Sequence, residues 1–226
     1  MAKLTWDQEG QKYYETGVDK GVLFPATAED GGYASGVAWN GLININESPS
    51  GAEPTALYAN NKKYGELLSA EEFAGTIEAY TYPDEYAPCL GYKEIAPGVY
   101  ATQQARKAFG FSYRSLIGND TEGTSHGYKL HIVYGAKAKP SEKANNSIND
   151  SPEAATLSWE FSTTPVELTN GEPTAHLIFD SRTADETKLK SLEDLLYGTE
   201  SVESKLPTPD EIIALMGDGK TEPAAG

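Results

Sequence analysis

The stretch "KAFGFSYRSLIGNDTEGTSHGYKLHIVYG" occupies residues 107–135. Two runs in it alternate with period two. Phe109, Phe111 and Tyr113 stand against Gly110, Ser112 and Arg114. After a polar break, Tyr128, Leu130, Ile132 and Tyr134 line one side. Successive side chains of a β-strand point to opposite faces, so this period marks strands with one buried face. The break, "GNDTEGTSHG" at 118–127, gathers the Gly, Asn and Asp that close a hairpin. The whole stretch therefore predicts an antiparallel β-hairpin.

The same pattern recurs outward along the chain. In "EFAGTIEAYTY" Phe73, Ile77 and Ala79 share a face opposite Glu78 and Tyr80. "TLSWEFSTT" aligns Leu157, Trp159 and Phe161, and "TAHLIFDS" aligns Ala175, Leu177 and Phe179. Shorter runs at 20–24, 36–45 and 98–102 bring the expectation to seven or eight strands. Helix signals are few. "TADETKLKSLEDLLYG" spaces Leu189, Leu192 and Leu196 on one helical face, with Thr183 and Glu186 as an expected capping box and Gly198 at the C-cap. "TPDEIIALMG" offers Thr208 as a cap, Pro209 at the first helical position and Glu211 to complete a box.

These elements predict a mainly β fold: an antiparallel β-sandwich or small barrel with one packed α-helix. The expected domain spans 1–205, with long polar loops at about 46–66 and 136–155. A C-terminal arm with a short helix follows at 206–226. Loops of that length are uncommon in compact domains unless they are functional or disordered. The stretch "ESPSGAEPT" (47–55) in the first loop holds nothing that would fill a core.

Composition narrows the function classes. The 226 residues suit one domain with extensions. Net charge is −16, from 34 acids against 18 bases, the wrong sign for a protein that grips phosphates. The single cysteine, Cys89, permits neither an internal disulfide nor a thiolate metal site, and reads as an inert, partly buried thiol. The N-terminus has no apolar segment, so the expectation is a soluble protein made in the cytosol, with no membrane partner. The sequons at Asn46, Asn119, Asn145 and Asn149 read as chance matches in such a chain.

Catalytic patterns are weak. "GDGKT" at 217–221 lacks the first glycine of a phosphate loop, where Ala214 stands, and it follows a helix instead of a strand. His126, His131 and His176 show no ligand spacing, and the latter two read as solvated histidines on the polar faces of strands. No carboxylate pair is singled out for glycoside hydrolysis, and no nucleophile elbow is present. The expectation is no catalytic, cofactor or metal residue, and no enzyme.

Longer phrases carry a resemblance. "GVAWNGLININESPSGAEPTALYANNKKY", "SAEEFAGTIEAYTYPDEY", "QQARKAFGFSYRSLIGNDTEGTSHGYKLHIVYGAKAKPSEK", "INDSPEAATLSWEFSTTPV" and "LPTPDEIIALM" resemble the major tail tube protein of long-tailed, non-contractile bacteriophages of Gram-positive hosts. The resemblance covers about residues 17–216 in one order, and no single piece is a chemical motif. It implies a structural protein of the virion whose hexameric rings stack into a tube, the conduit for genomic DNA at ejection. It further implies contacts with tape-measure, distal-tail and terminator proteins, and DNA that passes the lumen without specific binding. On this reading 46–66 is an inter-ring arm, with Glu47, Ser48, Pro49, Glu53, Pro54 and Tyr58 as candidate contacts. Ile212, Ile213, Leu215 and Met216 are candidate contacts of the C-terminal arm. The alternative is a carbohydrate- or cell-surface-binding β-sandwich module that uses exposed Tyr and Trp as platforms.

Overall fold

The computed structural model describes residues 4–27, 32–51, 53–148, 150, 153–169 and 171–217. In chain order it contains β1 (Tyr14–Pro25), β2 (Val37–Trp39), β3 (Leu42–Glu47), β4 (Ser50–Gly51), β5 (Pro54–Ala59), β6 (Lys62–Leu68), β7 (Glu71–Glu72) and β8 (Ala74–Ala79). A short 3-10 helix (Asp84–Leu90) precedes β9 (Lys93–Ala96), β10 (Val99–Ala101), β11 (Phe109–Asn119), β12 (Gly123–Ala138), β13 (Leu157–Thr163) and β14 (His176–Asp180). Two α-helices end the described chain: α1 (Glu186–Tyr197) and α2 (Pro209–Met216). The "GDGKT" stretch lies outside the described residues from 218 onward.

The hairpin β11–β12 forms as its alternation predicts, and it is the centre of the fold. It sits in an eight-stranded antiparallel sheet ordered β2-β1-β11-β12-β13-β8-β3, with β14 also paired to β12. β12 serves two neighbours in succession. Lys129–Val133 pairs with β14, and Ala136–Ala138 pairs with β13. The switch falls at Gly135, whose φ is +60°. A Cβ there would lie 2.3 Å from the Thr164 carbonyl oxygen, so glycine alone fits. Gly135 thus marks a bend inside a strand, not its end. The expected loop at 136–155 is shorter for this reason, because its first three residues continue β12.

The sheet curls until β3 comes back beside β1. A Cβ on Gly21 of β1 would lie 2.3 Å from Leu42 Cδ1 of β3. The curl encloses one apolar cluster, built from Leu23, Trp39, Ile77, Phe109, Phe111, Val133, Trp159 and Phe161. Tyr86 and Cys89 plug it from the 3-10 helix, and both are fully buried. Burial pushes the Cys89 thiol up to about 12, in line with an inert thiol. A second cluster covers the outer face: Val22, Phe24, Leu130, Ile132 and Tyr134 meet Leu189, Leu192 and Leu196 of α1. The central strands are therefore buried on both faces. Each fully buried Leu, Ile or Phe contributes about 1.5–3 kcal/mol.

The helix ends follow local chemistry. At α1 the N-cap is Asp185, whose carboxylate accepts from the Lys188 N–H. The expected Thr183–Glu186 box does not form. The Thr183 and Ala184 N–H groups instead donate back to the Asp180 carbonyl, which moves the helix start two residues on. At α2 the expected box is present, with Thr208 and Glu211 exchanging hydrogen bonds and Pro209 in the first turn. α2 packs on its own chain. Ile212 and Leu206 are buried in the second cluster, and the Tyr134 hydroxyl donates to the Pro207 carbonyl at 2.9 Å.

Candidate functional site

The most conspicuous outward feature is the excursion after β3. The sequence predicts a loop there, but the structure forms a two-stranded ribbon. β4 pairs with β7 at its root, and β5 pairs with β6 beyond. Asn60 and Asn61 close it, with φ of +50° and +62°. Positive φ at both central residues defines a type I′ turn, whose twist matches that of paired strands, and Asn tolerates it. "YANNKKY" is thus the local signal that marks a hairpin inside the polar stretch. An extended limb from Ser48 to Asn60 reaches about 40 Å at most, at ~3.3 Å per residue.

This arm has no core of its own. Tyr58 is 74% exposed and Tyr64 80%, and Leu57, Leu67 and Leu68 are also exposed. An isolated two-stranded ribbon is marginal in water. Apolar side chains gathered on such a ribbon mark an interaction surface. A second, shorter ribbon, β9–β10, exposes Ile95, Val99 and Tyr100 around a turn at Gly98.

The residues singled out in the sequence separate into different environments. Ser48, Pro49, Glu53, Pro54 and Tyr58 lie exposed along the arm. Glu47 ends β3 at the arm's root and turns inward, where its Oε1 accepts from the Tyr113 hydroxyl at 2.7 Å. Of the C-terminal set, Ile212 is buried, Leu215 and Met216 pack half-buried against the second cluster, and Ile213 faces outward at 43% exposure.

The histidines need correction. His131 and His176 are not solvated: His131 is only 4% exposed, and His176 is half-buried. Their strands are not half-open, because β3 and Phe73 cover the face that a simple alternation assigns to water. The strand register brings the two together. Val133 pairs with His176 and His131 with Ile178, so the two histidines are diagonal neighbours on one face.

Basic side chains are dispersed. Lys62 and Lys63 sit near the arm's tip, with Lys63 paired to Glu66. Arg106 donates to the Ala138 carbonyl, and Arg114 makes a bidentate pair with Asp19 at 2.8 Å while covering the Tyr128 ring. No helix among the described residues is long and apolar enough to cross a membrane. No protein-family model matches this chain, and no curated protein matches it either.

Proposed function

We propose that the protein is a structural subunit that assembles into stacked rings forming the tail tube of a long-tailed phage. The observation that carries this reading is the arm at 48–72, a ribbon with exposed Leu57, Tyr58, Tyr64, Leu67 and Leu68 that its own domain leaves uncovered. A neighbouring copy is the economical cover for a feature every copy carries. Open sheet edges add to it. β3 and β14 each pair on one side only among the described residues, and ring closure between copies would satisfy such edges. The phrases resembling tail tube proteins and the charge of −16 point the same way. Rings of six, DNA passing through the lumen without specific binding, and tape-measure, distal-tail and terminator proteins at the ends belong to the same proposal.

Negative-stain electron microscopy across a concentration series tests it. Rings or tubes of uniform width are expected at high protein concentration. Single small particles throughout, even with a tail-initiation complex added, would sink the assembly reading.

A further inference from the structure

At the arm's root, three side chains from three strands converge. Glu47 ends β3, His131 lies in β12 and His176 begins β14. One donor atom from each lies within 4.8 Å of the other two. His131 Nδ1 is 3.1 Å from His176 Nε2 and 3.4 Å from Glu47 Oε1. We propose that Glu47, His131 and His176 bind one divalent transition-metal ion of the zinc type, which ties the root of the arm to the central sheet.

The spacing suits a metal. Bonds of about 2.0–2.1 Å at tetrahedral angles hold ligand atoms roughly 3.3–3.4 Å apart. Hydrogen bonding alone satisfies the trio poorly. His131 Nδ1 carries at most one proton. If it accepts from His176, its lone pair faces the Glu47 carboxylate with no proton between them. If it donates, one proton is divided between two acceptors. A cation at the centre serves all three atoms at once.

The surroundings prepare the ligands. His131 Nε2 meets Ser115 Oγ at 2.9 Å, a hydroxyl able to accept from Nε2–H and so leave Nδ1 for the metal. The Tyr113 hydroxyl donates to Glu47, which suits an ionised carboxylate. Tyr113 stacks on His131 with ring centroids 4.4 Å apart, and Phe73 lies against His176 at 4.2 Å, so both rings are held in place. Access is open. Glu47, Tyr113, Ser115 and His131 line a groove between β1 and β3.

Two imidazoles and one carboxylate favour zinc, cobalt, nickel or copper over the hard cations calcium and magnesium. The site would hold a strand end that starts the arm, so its loading would stiffen the base of the arm. The inference stands on these side chains alone and holds whether or not the protein forms tubes.

The test uses the full chain stripped with a chelator. Titration with Co²⁺, read by visible absorption, and with Zn²⁺, read by calorimetry, should give one ion per chain. Zn²⁺ at about 100 times its Kd should raise Tm by roughly 5–10 °C. His176→Gln and Glu47→Gln, each checked for folding by circular dichroism, should weaken binding at least about tenfold and lose most of the Tm rise. Absence of saturable binding would overturn the site. So would unchanged affinity in both variants, or displacement of Zn²⁺ by equimolar Ca²⁺.

Discussion

The body and the arm of this protein are made of the same secondary structure but held by different forces. In the body, β11 and β12 are buried on both faces, between the enclosed cluster around Phe111 and the helix-covered cluster around Ile132. In the arm, β5 and β6 are joined by backbone ladders and carry no buried side chain. Ladder hydrogen bonds exchange partners with water and contribute little net free energy, while apolar burial dominates. The body therefore specifies itself. The arm has a defined register but leaves its apolar side chains exposed.

The largest effect is expected from removing the arm. Replacing residues 51–71 by an Asn-Gly turn should join β3 to β8 as a plain hairpin, since Glu47 already pairs with Gly75 and Ser50 with Glu72 in one register. We expect assembly into rings or tubes to be lost completely, while Tm changes by no more than about 2 °C. Microscopy and calorimetry read the two halves. Tubes that still form would assign the arm another role, and a collapse of Tm would make it part of the body.

The opposite perturbation goes to the enclosed cluster. Phe111 is 2% exposed and touches Phe109, Tyr113 and Phe161 through ring contacts. Phe111→Ala should cost about 3–5 kcal/mol, measured by urea unfolding of unassembled protein. A cost under about 1 kcal/mol would mean that the cluster packs loosely. The terminal helix provides a smaller, paired test. Ile212 is buried and Ile213 faces outward. Ile212→Ala should cost about 2–4 kcal/mol, and Ile213→Ala no more than about 0.5. Equal and small costs would detach α2 from the body.

Legibility in the sequence follows the same division. Strand periodicity announces itself, and the runs at Phe109–Tyr113, Tyr128–Tyr134 and Leu157–Phe161 all form strands, but in β11 and β12 the face that alternation assigns to water is buried as well. The cap at Thr208 is equally plain, because its hydrogen bonds are local. Non-local effects are hidden. Gly135 reads as a strand end until Thr164 is known to pass within contact of its Cα. The arm reads as a loop because strand signals rest on burial, and the arm buries nothing. The histidines read as solvated because the cover over their face comes from Glu47 and Phe73, far away in the chain. Thr183 fails as a cap because the turn at Asp180 takes both its N–H and its hydroxyl, and Asp185 caps the helix instead.

The smallest effect expected is on DNA. A net charge of −16 disfavours phosphate contact, though a local basic patch could still override it. Among the described residues, several basic side chains are engaged by partners within the chain. Lys62 and Lys63 stand near the tip of the arm, and Lys63 is neutralised by Glu66. Arg114 is held by Asp19 in the body, and Arg106 is spent on the Ala138 carbonyl. Exposed carboxylates facing a phosphate backbone within a Debye length, about 10 Å at 0.1 M salt, repel it without binding. Fluorescence anisotropy with labelled duplex and single-stranded DNA should therefore show no saturable binding, even at low salt where phosphate contacts are strongest. The arm-deleted variant should behave identically, since removing Lys62 and Lys63 removes no binding surface. Affinity that falls steeply with salt in the intact protein and disappears in that variant would instead make the arm a nucleic-acid contact. The proposed contact between copies through the arm would then have to be given up.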